Sequence, residues 1–144
     1  MHTRRPDPAL SDAVEALVKV KPVVAIVENL CASAAFLAIC KATKIVASRG
    51  SLIGGIGTYC VVEDASGMAD AMGIKVHVVK AGEFKGMGTP GTAFTESQQR
   101  ELQRVVNSLN DQFLAAVATG RKLTSDRLKI VSDGRVWIAA DAKR

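Results

Sequence analysis

The spacing of apolar positions along the 144-residue chain changes several times, and each change marks an element. Residues 7–21 (DPALSDAVEALVKVK) put Leu10, Val14, Leu17 and Val18 on one helical face. Asp7 is placed to cap that helix, and Pro8 suits its first turn. Residues 22–28 (PVVAIVE) are a continuous, mostly β-branched run, the pattern of a strand buried on both faces. Residues 32–42 (ASAAFLAICKA) read as a buried helix and 44–48 (KIVAS) as a second short strand. The glycine-dense 49–57 (RGSLIGGIG) predicts a loop or a sharp backbone passage. Beyond it, 58–63 (TYCVVE) reads as a strand, 64–73 (DASGMADAMG) as a helix ending at Gly73, 75–80 (KVHVVK) as a strand and 81–91 (AGEFKGMGTPG) as a loop.

The longest helix is predicted over 95–122. Thr95 and Gln98 form a capping box at its start, and Gly120 can end it. Its apolar stripe is Leu102, Val105, Val106, Leu109, Phe113, Leu114 and Val117. Residues 124–134 predict a short helix capped by Thr124 or Ser125, residues 135–139 (RVWIA) a last strand, and ADAKR the opening of another helix. Strands alternating with helices predict an α/β layer architecture with largely parallel pairing and right-handed crossovers. Residues 7–144 are expected to make a single domain, with 1–6 a disordered start or a truncation scar.

Composition narrows the function. A chain of this length can bury a core without metals or disulfides. Aromatics are 4% of residues, so the core is aliphatic and no stacking surface for bases is expected. The net charge of +5 is scattered, with one dense basic patch inside residues 1–6, which argues against nucleic-acid binding. Three cysteines without C-x-x-C spacing suggest neither a disulfide framework nor a zinc site. The greasy stretch 30–40 is too short to span a bilayer, and no signal peptide opens the chain. The compartment is therefore open: cytoplasmic, or membrane-associated through segments outside this chain.

Ser33 stands alone at the foot of the apolar stretch 28–40, directly after a strand-like run. It is either a helix N-cap or a nucleophile presented by the helix. A serine hydroxyl needs a base. His2 lies in the basic start and His77 in a strand-like run, so no Ser–His–Asp set is legible. Lysine serves as a base where desolvation disfavours its ammonium form. Lys85 sits in the loop 81–91 just past a strand, where α/β proteins carry working residues, although a solvated loop lysine fits the same position. The N–H of Ala34, in the first helical turn, lacks an intrahelical partner and can serve an oxyanion.

Five segments in order resemble one known family. They are KPVVAIVENLCASAAFLA, KIVASRGSLIGGIGTY, KAGEFKGMG, TESQQRELQRVVNSLNDQF and DGRVWIAADAK. Together they resemble the signal peptide peptidase A family of serine peptidases, with its phage capsid-maturation relatives, from about Asp7 to the end. The resemblance implies a Clp protease/crotonase fold of stacked β-β-α turns, truncated at both ends in this chain. It implies a Ser/Lys dyad with Ser33 as nucleophile, Lys85 as general base and Ala34 as oxyanion donor. It further implies an acyl-enzyme, peptide or protein substrates with small or apolar residues near the cut, a ring-like homo-oligomer, and no cofactor or metal.

Three departures stand out. Ser33-Ala34-Ala35-Phe36 replaces the family's Ser-Gly-Gly-Tyr, and Gly55 takes the place of a serine that helps hold the lysine, with Ser51 nearby. The chain also starts just after the family's Ser-Pro-Gly-Gly-like turn should have come. Two other functions remain open at this point: a crotonase-type acyl-CoA enzyme without a covalent serine, and a truncated, inactive copy acting as an oligomerisation or scaffold module.

Overall fold

A computed structural model describes residues 8–142. The expected cap at Asp7 and the expected disordered start at 1–6 lie outside the described residues. The elements run α1 (Pro8–Val18), β1 (Val24–Val27), β2 (Leu30–Ala32), α2 (Ala34–Ile39), β3 (Lys44–Ala47), β4 (Leu52–Gly54), α3 (Ser66–Ala71), α4 (Glu96–Arg121), α5 (Ser125–Val131), β5 (Val136–Ile138) and α6 (Ala139–Ala142). The chain is an α/β protein in which strands and helices alternate and the sheets stay open. It divides into two compact units, one running to Thr58 and resuming at Leu109, the other Tyr59–Ser108.

The first unit holds all the strands. β1 pairs in parallel with β3, with Val24 opposite Lys44 and Ile26 opposite Val46. β2 pairs in parallel with β4, and β4 antiparallel with β5, giving the order β2-β4-β5. The core behind them is Val27, Cys31, Phe36, Cys40, Ile56, Phe113 and Val117, with Leu37, Ile45, Ile53 and Leu128 packed around it. Gly120 is needed here for its missing side chain, since a Cβ there would collide with the Cys40 carbonyl. Next to it, the Arg121 Nε donates to the Cys40 carbonyl (2.7 Å) and the same guanidinium donates to the Ala42 carbonyl. Lys41 is drawn to α1 by Glu15 (2.6 Å) and Asp12 (3.3 Å).

Several expectations are corrected here. The run 22–28 is not buried on both faces: Val24 is 53% and Ile26 74% exposed, so one face of β1 is open. The glycine-dense 49–57 contains a true strand, β4, because Leu52–Gly54 finds partners on both sides. α4 does not stop at Gly120; it continues to Arg121, and Lys122 takes the left-handed turn with φ 52°.

The second unit has α3 and the first half of α4, and its apolar runs do not form strands. Residues 58–63 and 75–80 make no ladder, and Tyr59, Val61 and Val79 are exposed. Side-chain ties stand in for sheet bonds. Asp64 accepts from the Ser66 hydroxyl (2.6 Å), the Ser66 N–H (3.0 Å) and the Phe94 N–H (2.9 Å). These three donors hold its carboxyl at about 2, well under the ordinary carboxylate range. The capping box also forms: Gln98 N–H donates to Thr95 Oγ1 (3.3 Å) and Thr95 N–H to Gln98 Oε1 (3.2 Å).

Candidate active site

Ser33 is the single residue between β2 and α2, so the chain turns from strand to helix on it. Its backbone sits at φ 53°, ψ −120°, a region that residues with a Cβ rarely enter. Apart from Lys122 it is the one non-glycine residue with positive φ among those described. The hydroxyl makes no capping bond to the helix, and the residue is exposed. An ordinary N-cap has extended backbone and a side chain bonded into the first turn, and Ser33 has neither. A sharp strand-to-helix turn of this kind pushes a hydroxyl out of the backbone surface toward an incoming group.

Two backbone bonds fix the turn. The Ser33 N–H donates to the Gly54 carbonyl (2.8 Å), extending the β2–β4 ladder by one residue. The Ser33 carbonyl accepts from the Leu37 N–H (2.9 Å), the first bond of α2. Ala34 follows as the first helical residue, so its N–H belongs to the set a helix leaves without an internal partner. Below the turn, Phe36 and Cys40 anchor α2 in the core. Ser33, exposed, and Ala34, half-buried, are thus neighbours at the start of α2 in the first unit.

The passage opposite Ser33 is Gly54–Gly55, both with positive φ (113° and 58°). The Gly55 N–H donates to the Arg135 carbonyl (2.9 Å), and the Gly134 N–H to the Ile56 carbonyl (3.1 Å), so the segment before β5 braces it. The sequence reading missed this support. The signal was the density of glycines in 49–57, which predicts a loop or a sharp backbone passage but not the strand partner. Ser51 is committed elsewhere: it is buried, and its hydroxyl donates to the Ser48 carbonyl (2.7 Å).

Cys31, two residues before Ser33, is part of the core, and burial pushes its thiol up from the ordinary range. Cys40 is fully buried and shifted the same way by burial. Neither has the character of a thiolate nucleophile.

Lys85 lies in the second unit, exposed, within a run of consecutive tight turns. Its N–H donates to the Gly82 carbonyl (3.2 Å), Met87 N–H to Phe84 (3.4 Å), and Thr89 N–H to Gly86 (3.2 Å). Gly82, Gly86, Gly88 and Gly91 all have positive φ, so the turns depend on glycine. The loop packs on its own unit: a Cβ on Gly86 would lie 3.0 Å from Val78, and one on Gly91 2.9 Å from Val76. No group of His, Cys, Asp and Glu that could hold a metal occurs among the described residues, and no described helix is long and apolar enough to cross a membrane.

Comparison with known proteins points one way. The model of peptidase family S49 matches residues 15–144. A Methanocaldococcus jannaschii protein provisionally described as a protease is 35% identical over 135 residues, which is 94% of this chain and 43% of that protein. A provisionally described signal peptide peptidase of Enterococcus faecium is 28% identical over 116 residues, 81% of this chain and 34% of its own length. Protease 4 of Salmonella typhi is 28% identical over 123 residues, 85% of this chain and 20% of its own length. The chain therefore spans less than half the length of these curated relatives.

Proposed function

Because the chain belongs to peptidase family S49, we propose that it carries the Ser/Lys dyad of a serine endopeptidase. Ser33 is the nucleophile, Lys85 the general base and Ala34 the oxyanion donor. The observation that carries the reading is the backbone of Ser33: positive φ, an exposed hydroxyl and no capping bond. Strain of this kind costs of order 1–3 kcal/mol and persists where it serves a function.

The steps follow from these groups. The Ser33 Oγ attacks the scissile carbonyl as its proton passes to the neutral Lys85 amine. The carbonyl oxygen takes the electron pair and accepts from the Ala34 N–H. The C–N bond breaks, and the leaving amine takes the proton from Lys85, leaving an acyl ester on Ser33. Lys85 then takes a proton from water as its oxygen attacks the ester, and returns that proton to the Ser33 Oγ as the acyl C–O bond breaks, which frees the acid and restores Ser33. Neither metal nor cofactor enters.

The same reading carries the finer expectations. The architecture is that of stacked β-β-α turns in the Clp/crotonase manner, supported by the parallel pairs β1–β3 and β2–β4. Residues 7–144 serve as one peptidase domain. The substrate is a peptide or protein segment, and the protein works as a homo-oligomer.

Lysine variants test the dyad. Both Lys85→Ala and Lys85→Arg are expected to lose acyl-enzyme formation, because guanidinium stays protonated at working pH. Substantial acylation by Lys85→Arg would mean that this position supplies charge rather than proton transfer, and the dyad would be abandoned.

A further inference from the structure

We infer that Gly55 is a positioning residue for Ser33, and that the absence of a side chain there is what lets the strained turn hold its hydroxyl in place. The inference rests on Ser33 being the nucleophile. A Cβ built on Gly55 would lie 3.1 Å from the Ser33 backbone nitrogen and 3.2 Å from the Ala32 Cβ. Those are the two residues that set the direction of the nucleophile. Both contacts are tighter than ordinary packing, so something has to give by a few tenths of an ångström.

The neighbours differ in how easily they give. On one side, Gly55 is tied by its N–H to the Arg135 carbonyl (2.9 Å), and the adjoining Ile56 carbonyl accepts from Gly134 (3.1 Å). On the other, Ser33 is held by its N–H on the Gly54 carbonyl and its carbonyl on the Leu37 N–H, but it already occupies a sparsely populated conformation. The strained side has the less to lose by moving. A side chain at 55 therefore displaces Ser33 before it displaces β5.

Neighbouring glycines separate positioning from folding. A Cβ on Gly54 would meet the Trp137 ring (3.1 Å) and the Arg135 carbonyl (3.2 Å) at φ 113°, which is a fold contact. A Cβ on Gly57 would meet only Gly134, at 3.5 and 3.8 Å, in ordinary contact.

The experiment compares the rate at which a fluorophosphonate labels Ser33 in the unsubstituted chain, Gly55→Ala, Gly55→Ser, Gly54→Ala and Gly57→Ala, each below its Tm. Labelling in Gly55→Ala is expected to slow by roughly 10-fold or more, since small misplacements of a reacting atom are expensive in rate. The pH profile should keep its shape, because the base is untouched. Gly57→Ala should label at the normal rate, and Gly54→Ala should show the larger fall in Tm. Labelling of Gly55→Ala within twofold of normal, or faster labelling of Gly55→Ser, would overturn the positioning role alone. If the unsubstituted chain is not labelled on Ser33, the nucleophile assignment falls and this role with it.

Discussion

Ser33 keeps a backbone conformation that glycine would adopt at less cost, which links stability and chemistry at a single residue. Ser33→Ala should remove acylation and leave Tm nearly unchanged, because the lost oxygen makes no capping bond. Ser33→Gly should remove acylation as well but raise stability above Ser33→Ala, by up to roughly 1–2 kcal/mol of relieved strain. Denaturant melts of the pair check this; a glycine variant no more stable than the alanine one would mean the turn is unstrained. Cys31→Ala should retain acylation and lose about 1 kcal/mol of stability, the cost of removing one buried heavy atom from the core. Loss of acylation as complete as in Ser33→Ala would mark Cys31 as the nucleophile. Ser33, Lys85 and Ala34 were legible in the sequence as candidates, each beside a plain structural alternative, and only the family resemblance implies their roles. The strained φ of Ser33 was not legible, since the letters around a serine do not distinguish a cap from an elbow.

Local signals identified most elements and missed those that depend on partners. α1 follows from its apolar spacing, and α4 and α5 from periodicity and caps, with Thr124 accepting from the Arg127 N–H (3.4 Å) as expected of a cap. β2 and β4 are three residues each, too short for a period, and exist because they pair with one another and with β5. The reverse holds at 58–63 and 75–80, where β-branched runs make no ladder. β propensity describes fitness for a sheet and does not itself provide neighbours. Asp64 takes over part of that task by tying the start of α3 to the approach to α4. Its depressed carboxyl gives a sign. Stability from this tie is complete above the unfolded value near 4 and is lost as pH falls through about 2. Amide exchange at Ser66 and Phe94 should therefore accelerate between about pH 4 and 2, and Asp64→Asn should show that acceleration already at neutral pH. Exchange that is indifferent to both changes would show that the tie is not what orders this segment.

On the scale of the whole molecule, the sheets of the first unit present apolar side chains to solvent. Ile26 is 74% exposed, and Leu30, Leu52 and Ile138 lie opposite one another across β2, β4 and β5, each at least 42% exposed. The sequence could not reveal this, because a β-branched run looks the same whether one face or both are covered. Exposure on this scale fits the proposed homo-oligomer. Sedimentation should give a mass that is a multiple of 15.2 kDa, and Ile26→Lys should lower it. A monomer at every concentration would remove the oligomer from the account. The central claim is that Ser33 forms a covalent bond with substrate, and the most direct measurement is where a covalent probe lands. In the proposed mechanism, fluorophosphonate labelling forms the Ser33 Oγ–P bond, breaks the P–F bond and passes the serine proton to Lys85. Mass mapping of the digested adduct should place a single modification on Ser33, absent from Ser33→Ala and from both Lys85 variants. Modification at another residue, or equal labelling of Ser33 in the Lys85 variants, would contradict the account.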